Sequence, residues 1–263
     1  MNVAGKTVLL TGATGGLGQA IARRLSGAGA KLVLSGRRAD VLDGLASELG
    51  ATVVAADLFD ADSVRALAKA HSDVDILVAN AGLPASGRLE SFTEEQIDRA
   101  LLVNLRAPIM LAHALAPAMV ARGSGHIVIM SSLSGKAPAA GSSIYSATKF
   151  GLRGFAGALR AELHGTGVGV SAIFPGFIRD AGMFEDAKVT LPRGTGTKSP
   201  EDVARATLRA IERNKGEIGV APIPLRLGAT MCGIAPELSA TVTRKAGGDE
   251  IAAQFEAGQL DKR

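Results

Sequence analysis

Hydrophobic positions along this chain fall into two rhythms. Residues 7–11, 31–35, 52–56, 75–79, 126–130 and 168–174 are short apolar blocks rich in Val, Ile and Leu, and they predict strands. Between them the apolar positions recur at helical spacing. Leu17, Ile21 and Leu25 share one face, as do Val41, Leu42, Leu45 and Leu49. Further helices are predicted over 60–71, 93–121, 143–164 and 200–214, the last with a proline in its first turn. Pro108 and Pro117 predict bends in the longest of them. Residues 218–221 read as a final strand.

The strand blocks are continuous rather than alternating, as expected when helices cover both faces of a parallel sheet. Strand–helix repetition then implies right-handed crossovers. The predicted fold is α/β: a doubly wound parallel sheet, a Rossmann-type three-layer sandwich, in one domain over 1–263. The pattern loosens after Pro175. Residues 176–199 mix Gly, Pro, Thr and charges and read as a lid loop over a substrate. Residues 222–263, apolar but broken by prolines, read as an irregular extension.

Composition narrows the function classes. The 263 residues carry a net charge of +4, and the cations are isolated pairs such as Arg23-Arg24 and Arg244-Lys245, which argues against a nucleic-acid partner. The single cysteine, Cys232, excludes an internal disulfide framework and suits a reducing compartment. Neither a signal peptide nor an uncharged membrane-length stretch is read, so a soluble cytoplasmic protein is expected. The histidines at 71, 113, 126 and 164 lack metal-ligand spacing, and no metal is expected. No G-x-S-x-G element supports a hydrolase.

Three features carry candidate chemistry. The first is Thr11-Gly12-Ala13-Thr14-Gly15-Gly16-Leu17-Gly18, set between the first strand and first helix. Glycines there permit a tight turn and the close approach of a pyrophosphate to a helix N-terminus, although a plain turn uses glycine too. The second is Gly36-Arg37-Arg38 at the end of strand two, where an arginine accommodates a ribose 2′-phosphate and an acid would bind a 2′-hydroxyl. The third is Tyr145, the only tyrosine, four residues before Lys149 and thus on one helical face with it. A surface Tyr-Lys pair is the plain alternative. Ser132 follows strand five at the carboxyl edge of the sheet, where it could touch a substrate oxygen or cap a turn.

In their order these residues resemble the short-chain dehydrogenase/reductase family, in its branch of about 250 residues. Thr11 to Gly18 is similar to the T-G-x-x-x-G-x-G motif, although Gly15 also permits the T-G-x-x-G-x-x-G spacing of a longer branch. Asp57-Leu58 is similar to the acid–apolar pair at the adenine, Asn80-Ala81-Gly82 to N-A-G, Tyr145 to Lys149 to Y-x-x-x-K, and Pro175-Gly176 to the turn after strand six. Asn104 and Ser132 match the remaining members of a tetrad.

The resemblance implies an oxidoreductase moving hydride between a nicotinamide and a ketone, aldehyde or alcohol. Tyr145 would be the general acid-base, and Ser132 would orient the carbonyl. Lys149 would hold the nicotinamide ribose and lower the tyrosine pKa. Asn104 would hold a water in a relay to Lys149. Gly12, Thr14, Gly15, Gly16, Leu17, Gly18, Gly36, Arg37, Arg38, Asp57, Leu58, Asn80, Ala81, Gly82, Pro175, Gly176 and Ile178 would contact the cofactor, with Tyr145 and Lys149. Arg37 and Arg38 favour NADP(H), with NAD(H) possible. Asp180, where the family often has Thr or Ser, should turn away from a pyrophosphate. The substrate is expected to be a small and nonpolar carbonyl or alcohol, the assembly a homodimer or homotetramer. A non-catalytic NADP(H)-binding regulator on the same fold is the alternative reading.

Overall fold

The computed structural model describes residues 1–192, 195–245 and 247–259. Residues 193, 194, 246 and 260–263, which belong to the expected lid and tail, lie outside the described residues. The strands are β1 (Thr7–Thr11), β2 (Lys31–Gly36), β3 (Thr52–Ala55), β4 (Ile76–Ala79), β5 (Gly125–Met130), β6 (Val168–Pro175) and β7 (Glu217–Val220). They form one parallel sheet in the order β3-β2-β1-β4-β5-β6-β7.

Alternate residues of each strand face opposite layers, and both layers are apolar, so the blocks are unbroken. Leu9, Leu77, Ile127 and Ile129 pack against Leu67 of α3 (Ala61–Ala70), Leu111 and Leu115 of α5 (Ala107–Ala121) and Leu152 of α6 (Ser143–Glu162). Val8, Leu10, Ile76 and Val128 face Ile21 and Leu25 of α1 (Gly16–Gly27), Leu42 of α2 (Ala39–Leu49) and Ile211 of α8 (Pro200–Arg213). Local chemistry sets the helix starts. Ser199 and Asp202 form a reciprocal capping box at α8, as do Thr93 and Gln96 at α4 (Glu94–Leu101).

The two prolines of the long helical region differ in effect. The region runs from Glu94 to Ala121 and changes hydrogen-bonding over Leu102–Arg106, where a π-turn joins α4 to α5. Pro108 lacks an N–H to give to the carbonyl of Asn104, so the break falls just ahead of it. Pro117 lies inside α5 without ending it. The region is apolar and long enough to cross a membrane, but Leu111, Leu115 and Met119 are fully buried against the sheet.

The tail corrects the sequence reading. Residues past Pro222 are not irregular but form α9 (Ile223–Ile234), α10 (Pro236–Lys245) and α11 (Gly248–Gln259). The prolines sit at the helix starts, where a missing N–H costs nothing. The expected lid contains the short helix α7 (Met183–Asp186). Its base is closed by Arg179 N donating to Lys198 O at 2.9 Å and Lys198 N donating to Phe177 O at 3.0 Å.

Candidate active site

The strand order reverses between β1 and β4, and a crevice opens there at the carboxyl ends of the strands. It holds a cavity of about 710 Å³. Every residue expected to touch a cofactor lines it, from Gly12 and Arg37 to Tyr145, Lys149 and Ile178; Asn104 does not.

The glycine loop is shaped by its own packing. Gly12 has φ +67°, and a Cβ on it would lie 2.7 Å from the Ala81 Cα. A Cβ on Gly18 would lie 2.2 Å from the Gly12 carbonyl oxygen, and one on Gly16 would lie 2.4 Å from the Ala181 Cβ. On Gly15 the nearest atom would be 3.6 Å away, ordinary contact. Geometry therefore demands glycine at 12, 16 and 18 and tolerates a side chain at 15. Thr11 ties this loop to the next strand end, its Oγ1 accepting from the Asn80 and Ala81 N–H groups at 3.2 Å each. Asn80 Nδ2 donates to the Thr11 and Gly12 carbonyls at 3.1 and 3.2 Å.

The two arginines after β2 differ. Arg38 donates to the Thr14 carbonyl and braces the glycine loop. Arg37 is exposed on the cavity wall and has no hydrogen-bond or ion-pair partner among the described residues. A Cβ on Gly36 would sit 2.8 Å from the Thr14 Cγ2, so a side chain there would have to displace that of Thr14. Asp57 accepts from the Phe59 N–H at 3.1 Å, and Leu58 beside it is buried.

At the other end β5 and α6 bring Ser132, Tyr145 and Lys149 to one wall. Ser132 Oγ accepts from the Ser134 N–H at 3.1 Å and lies 3.5 Å from the Pro175 carbonyl. Lys149 is buried, donates to the Met130 carbonyl at 3.0 Å, and has its Nζ 5.5 Å from the Tyr145 ring centroid. Burial lowers its pKa to about 8. Tyr145 is not pulled down as expected. Burial pushes it up to about 12, against a smaller lowering by a hydrogen bond with Ser132. The lysine hydrogen-bonds the Met130 carbonyl, and burial disfavours its own charge, so the chain alone does not make a phenolate.

Asn104 is fully buried behind this wall. Its Oδ1 accepts from Leu83 N at 2.6 Å and its Nδ2 donates to Leu83 O at 2.9 Å. The side chain thus pins the segment after Asn80-Ala81-Gly82. Its main-chain carbonyl lies in the π-turn, without its α-helical partner.

Asp180 turns outward: its side chain is 70% exposed, 3.4 Å from Arg179 Nε, and it does not line the cavity. Met183 and Phe184 of α7 do line it. Phe174 does not; it is a core residue beneath Lys136. Phe177, Phe184 and Phe255 form an aromatic cluster, with centroids 5.4–6.4 Å apart. Gln259 of α11 also lines the cavity, a position that an irregular tail does not predict. Ile251 and Phe255, four residues apart, were the available helical signal.

The family described as short chain dehydrogenase matches residues 6–190. A ketoacyl reductase, HetN, of Nostoc sp. is 37% identical over 233 residues, 84% of this chain and 80% of its own length. Dehydrogenase/reductase SDR family member 7B of Bos taurus is 33% identical over 243 residues, covering 82% and 74% respectively. A short-chain dehydrogenase from Sphingobium yanoikuyae in complex with NADPH is similar with a TM-score of 0.76 at 31% identity, over 89% of this chain and 95% of that one. A bulky-bulky ketone specific alcohol dehydrogenase from Comamonas testosteroni has a TM-score of 0.72 at 28% identity, over 90% and 95%.

Proposed function

This chain belongs to the short-chain dehydrogenase/reductase family, and from that membership we propose that it is an NADP(H)-dependent oxidoreductase interconverting a ketone or aldehyde with an alcohol. The observation that carries the reading is the placement of Ser132, Tyr145 and Lys149 on the wall of the same cavity as the glycine loop and Arg37.

The donor set fits a dinucleotide. Glycine-loop N–H groups at the start of α1 suit a pyrophosphate. Arg37, without another partner, suits a 2′-phosphate, and Lys149 suits the nicotinamide ribose. When bound, the nicotinamide supplies or accepts the hydride at the substrate carbon.

The chain's own residues handle the oxygen. Ser132 donates to the carbonyl oxygen and orients it. Tyr145, holding its proton at neutral pH, delivers it to that oxygen in the reducing direction and receives it in the oxidising one. Lys149, brought by burial to about 8, gives up a proton readily and re-protonates the phenolate. Asn104 fixes the cavity wall through Leu83, and in this reading it also holds a water in a relay to Lys149. A tyrosine that carries its proton is the form the reducing step uses.

The test is a carbonyl panel with NADPH, comparing wild type with Tyr145→Phe. Loss of about two to four orders of magnitude in turnover is expected. Equal turnover would sink the mechanism. Cofactor binding with no turnover over the whole panel would favour the regulator.

A homo-oligomer in the cytoplasm is part of the same proposal. Support comes from Ile223, Leu227, Met231, Ile234, Leu238 and Val242 of α9 and α10, which are 47–72% exposed. At on the order of 100 Å² per side chain they present roughly 400 Å² of apolar surface. A standard interface takes about 800 Å² from each partner, a little over half of it apolar, so a second copy matches this patch in size. Leu227→Glu with Ile234→Glu should lower the mass seen by sedimentation with the circular dichroism intact; an unchanged mass would refute this interface.

A further inference from the structure

Buried side-chain polar atoms in a native fold have partners, so those without one are informative. Among the described residues three such atoms stand alone: Arg24 Nε, Arg99 Nε and Gln259 Oε1. Arg24 lies outside the cavity and is ion-paired with Glu201. Arg99 lines the cavity near Phe59, with its guanidinium carbon 5.9 Å from that ring centroid, at the end where Asp57 and Leu58 lie. Gln259 is the remaining one. It lines the cavity on the side of Met183, and its residue is 1% exposed.

The orientation of its amide follows from its partner. Gln259 Nε2 donates to the Met183 carbonyl at 3.0 Å. A carbonyl only accepts, so the NH₂ end must face Met183 and the oxygen end is the free one. No described residue satisfies that oxygen. A buried acceptor left without a partner destabilises the fold, and a ligand donor would relieve it.

The helix that carries Gln259 is tied to segments distant in the chain. Thr190 N donates to Gln254 Oε1 at 2.7 Å, and Arg88 N donates to Glu256 Oε1 at 3.3 Å. Gly258 lies so close to the lid that a Cβ on it would sit 2.6 Å from the Ala187 Cα. A Cβ on Gly141 would lie 3.1 Å from the Ala252 Cβ. α11 therefore bridges the segments around Arg88, Gly141 and Ala187. None of these carries a residue assigned to the cofactor, and α11 lies beyond the stretch matched by the family.

We propose that Gln259 is a substrate-recognition residue whose Oε1 accepts a hydrogen bond from a hydroxyl or amide N–H borne by the substrate, remote from its carbonyl. The substrate is then amphipathic rather than nonpolar: an apolar body rests on Met183 and Phe184, and one donor group reaches Gln259. This rests on the oxidoreductase reading for the word substrate, but not for the binding site itself.

The probes are n-alkan-2-ones from six to twelve carbons and their ω-hydroxy counterparts, used with full-length wild type and Gln259→Leu. In wild type with NADPH, kcat/KM for the best hydroxyketone should exceed that for its deoxy partner by roughly tenfold, carried by KM. In Gln259→Leu that preference, read as the ratio of the two kcat/KM values, should vanish, with the NADPH dissociation constant unchanged. The second readout needs no turnover: thermal shift with NADP⁺ present, where the hydroxyketone should stabilise wild type more than the ketone does, and Gln259→Leu equally with both. A preference that survives Gln259→Leu, no preference in wild type across the series, or an effect of the substitution on NADPH binding alone would overturn the proposal. A binding preference that stands while no ketone is reduced would support the subsite and overturn only the oxidoreductase reading.

Discussion

Replacing Lys149 by methionine should make the protein more stable while removing its activity. The ammonium is buried, and burial has lowered its pKa from the ordinary 10.5 to about 8. That gap corresponds to about 3 kcal/mol against the charged form at neutral pH. Methionine has a similar length and fills the same space without a charge. It loses the hydrogen bond to the Met130 carbonyl, which returns about 1 kcal/mol. The net gain is about 2 kcal/mol at pH 7, or roughly 4–8 °C in Tm for a domain of this size.

The pH dependence carries the sign. Below pH 8 the lysine is protonated in both states, and the folded state bears the full penalty. Between 8 and 10.5 the folded lysine is neutral while the unfolded one is charged, so the unfolded state binds more protons and wild-type stability rises with pH. Above 10.5 both are neutral and the penalty is gone. The advantage of Lys149→Met should therefore be largest at pH 7 and shrink, through zero, by about pH 10.5. The assay is urea unfolding of both proteins without added cofactor at pH 7, 8, 9 and 10, reading the difference so that other titrations cancel. A variant less stable at pH 7, or a difference that ignores pH, would refute a charge held at a cost.

Other expectations concern the cofactor end. Arg37→Ala should weaken NADPH binding by about tenfold or more and leave NADH nearly unchanged, measured by titration of each cofactor; unaltered discrimination would remove the 2′-phosphate role. Gly18→Ala should cripple cofactor binding or folding, because its Cβ meets backbone at 2.2 Å, whereas Gly15→Ala should bind cofactor within about threefold of wild type. Equal tolerance at both positions would contradict the packing of the loop.

Much of this was legible in the linear pattern. Val8, Leu10 and Leu9 face opposite layers that are both apolar, so β1 reads as one block, and the same holds for β4 and β5. Ser132 and Tyr145 could be singled out because local rules place them: a strand end and a helical repeat. The tail was illegible for an equally physical reason. Leu227, Leu238 and Val242 are exposed, so no periodic buried face announces α9 and α10. The contacts that hold α11 come from Arg88 and Thr190, 168 and 64 residues away from their partners.

The sequence by itself determined the alternation of elements, the order of the motifs and the residue types available for chemistry, because each depends on neighbours within one turn or one strand. Only the tertiary structure decided which glycines the loop requires, which arginine is free, and why the tyrosine keeps its proton. It alone brought Gln259 from the far end of the chain into the cavity. Those outcomes depend on burial and on contacts between distant segments, and neither is written in local order.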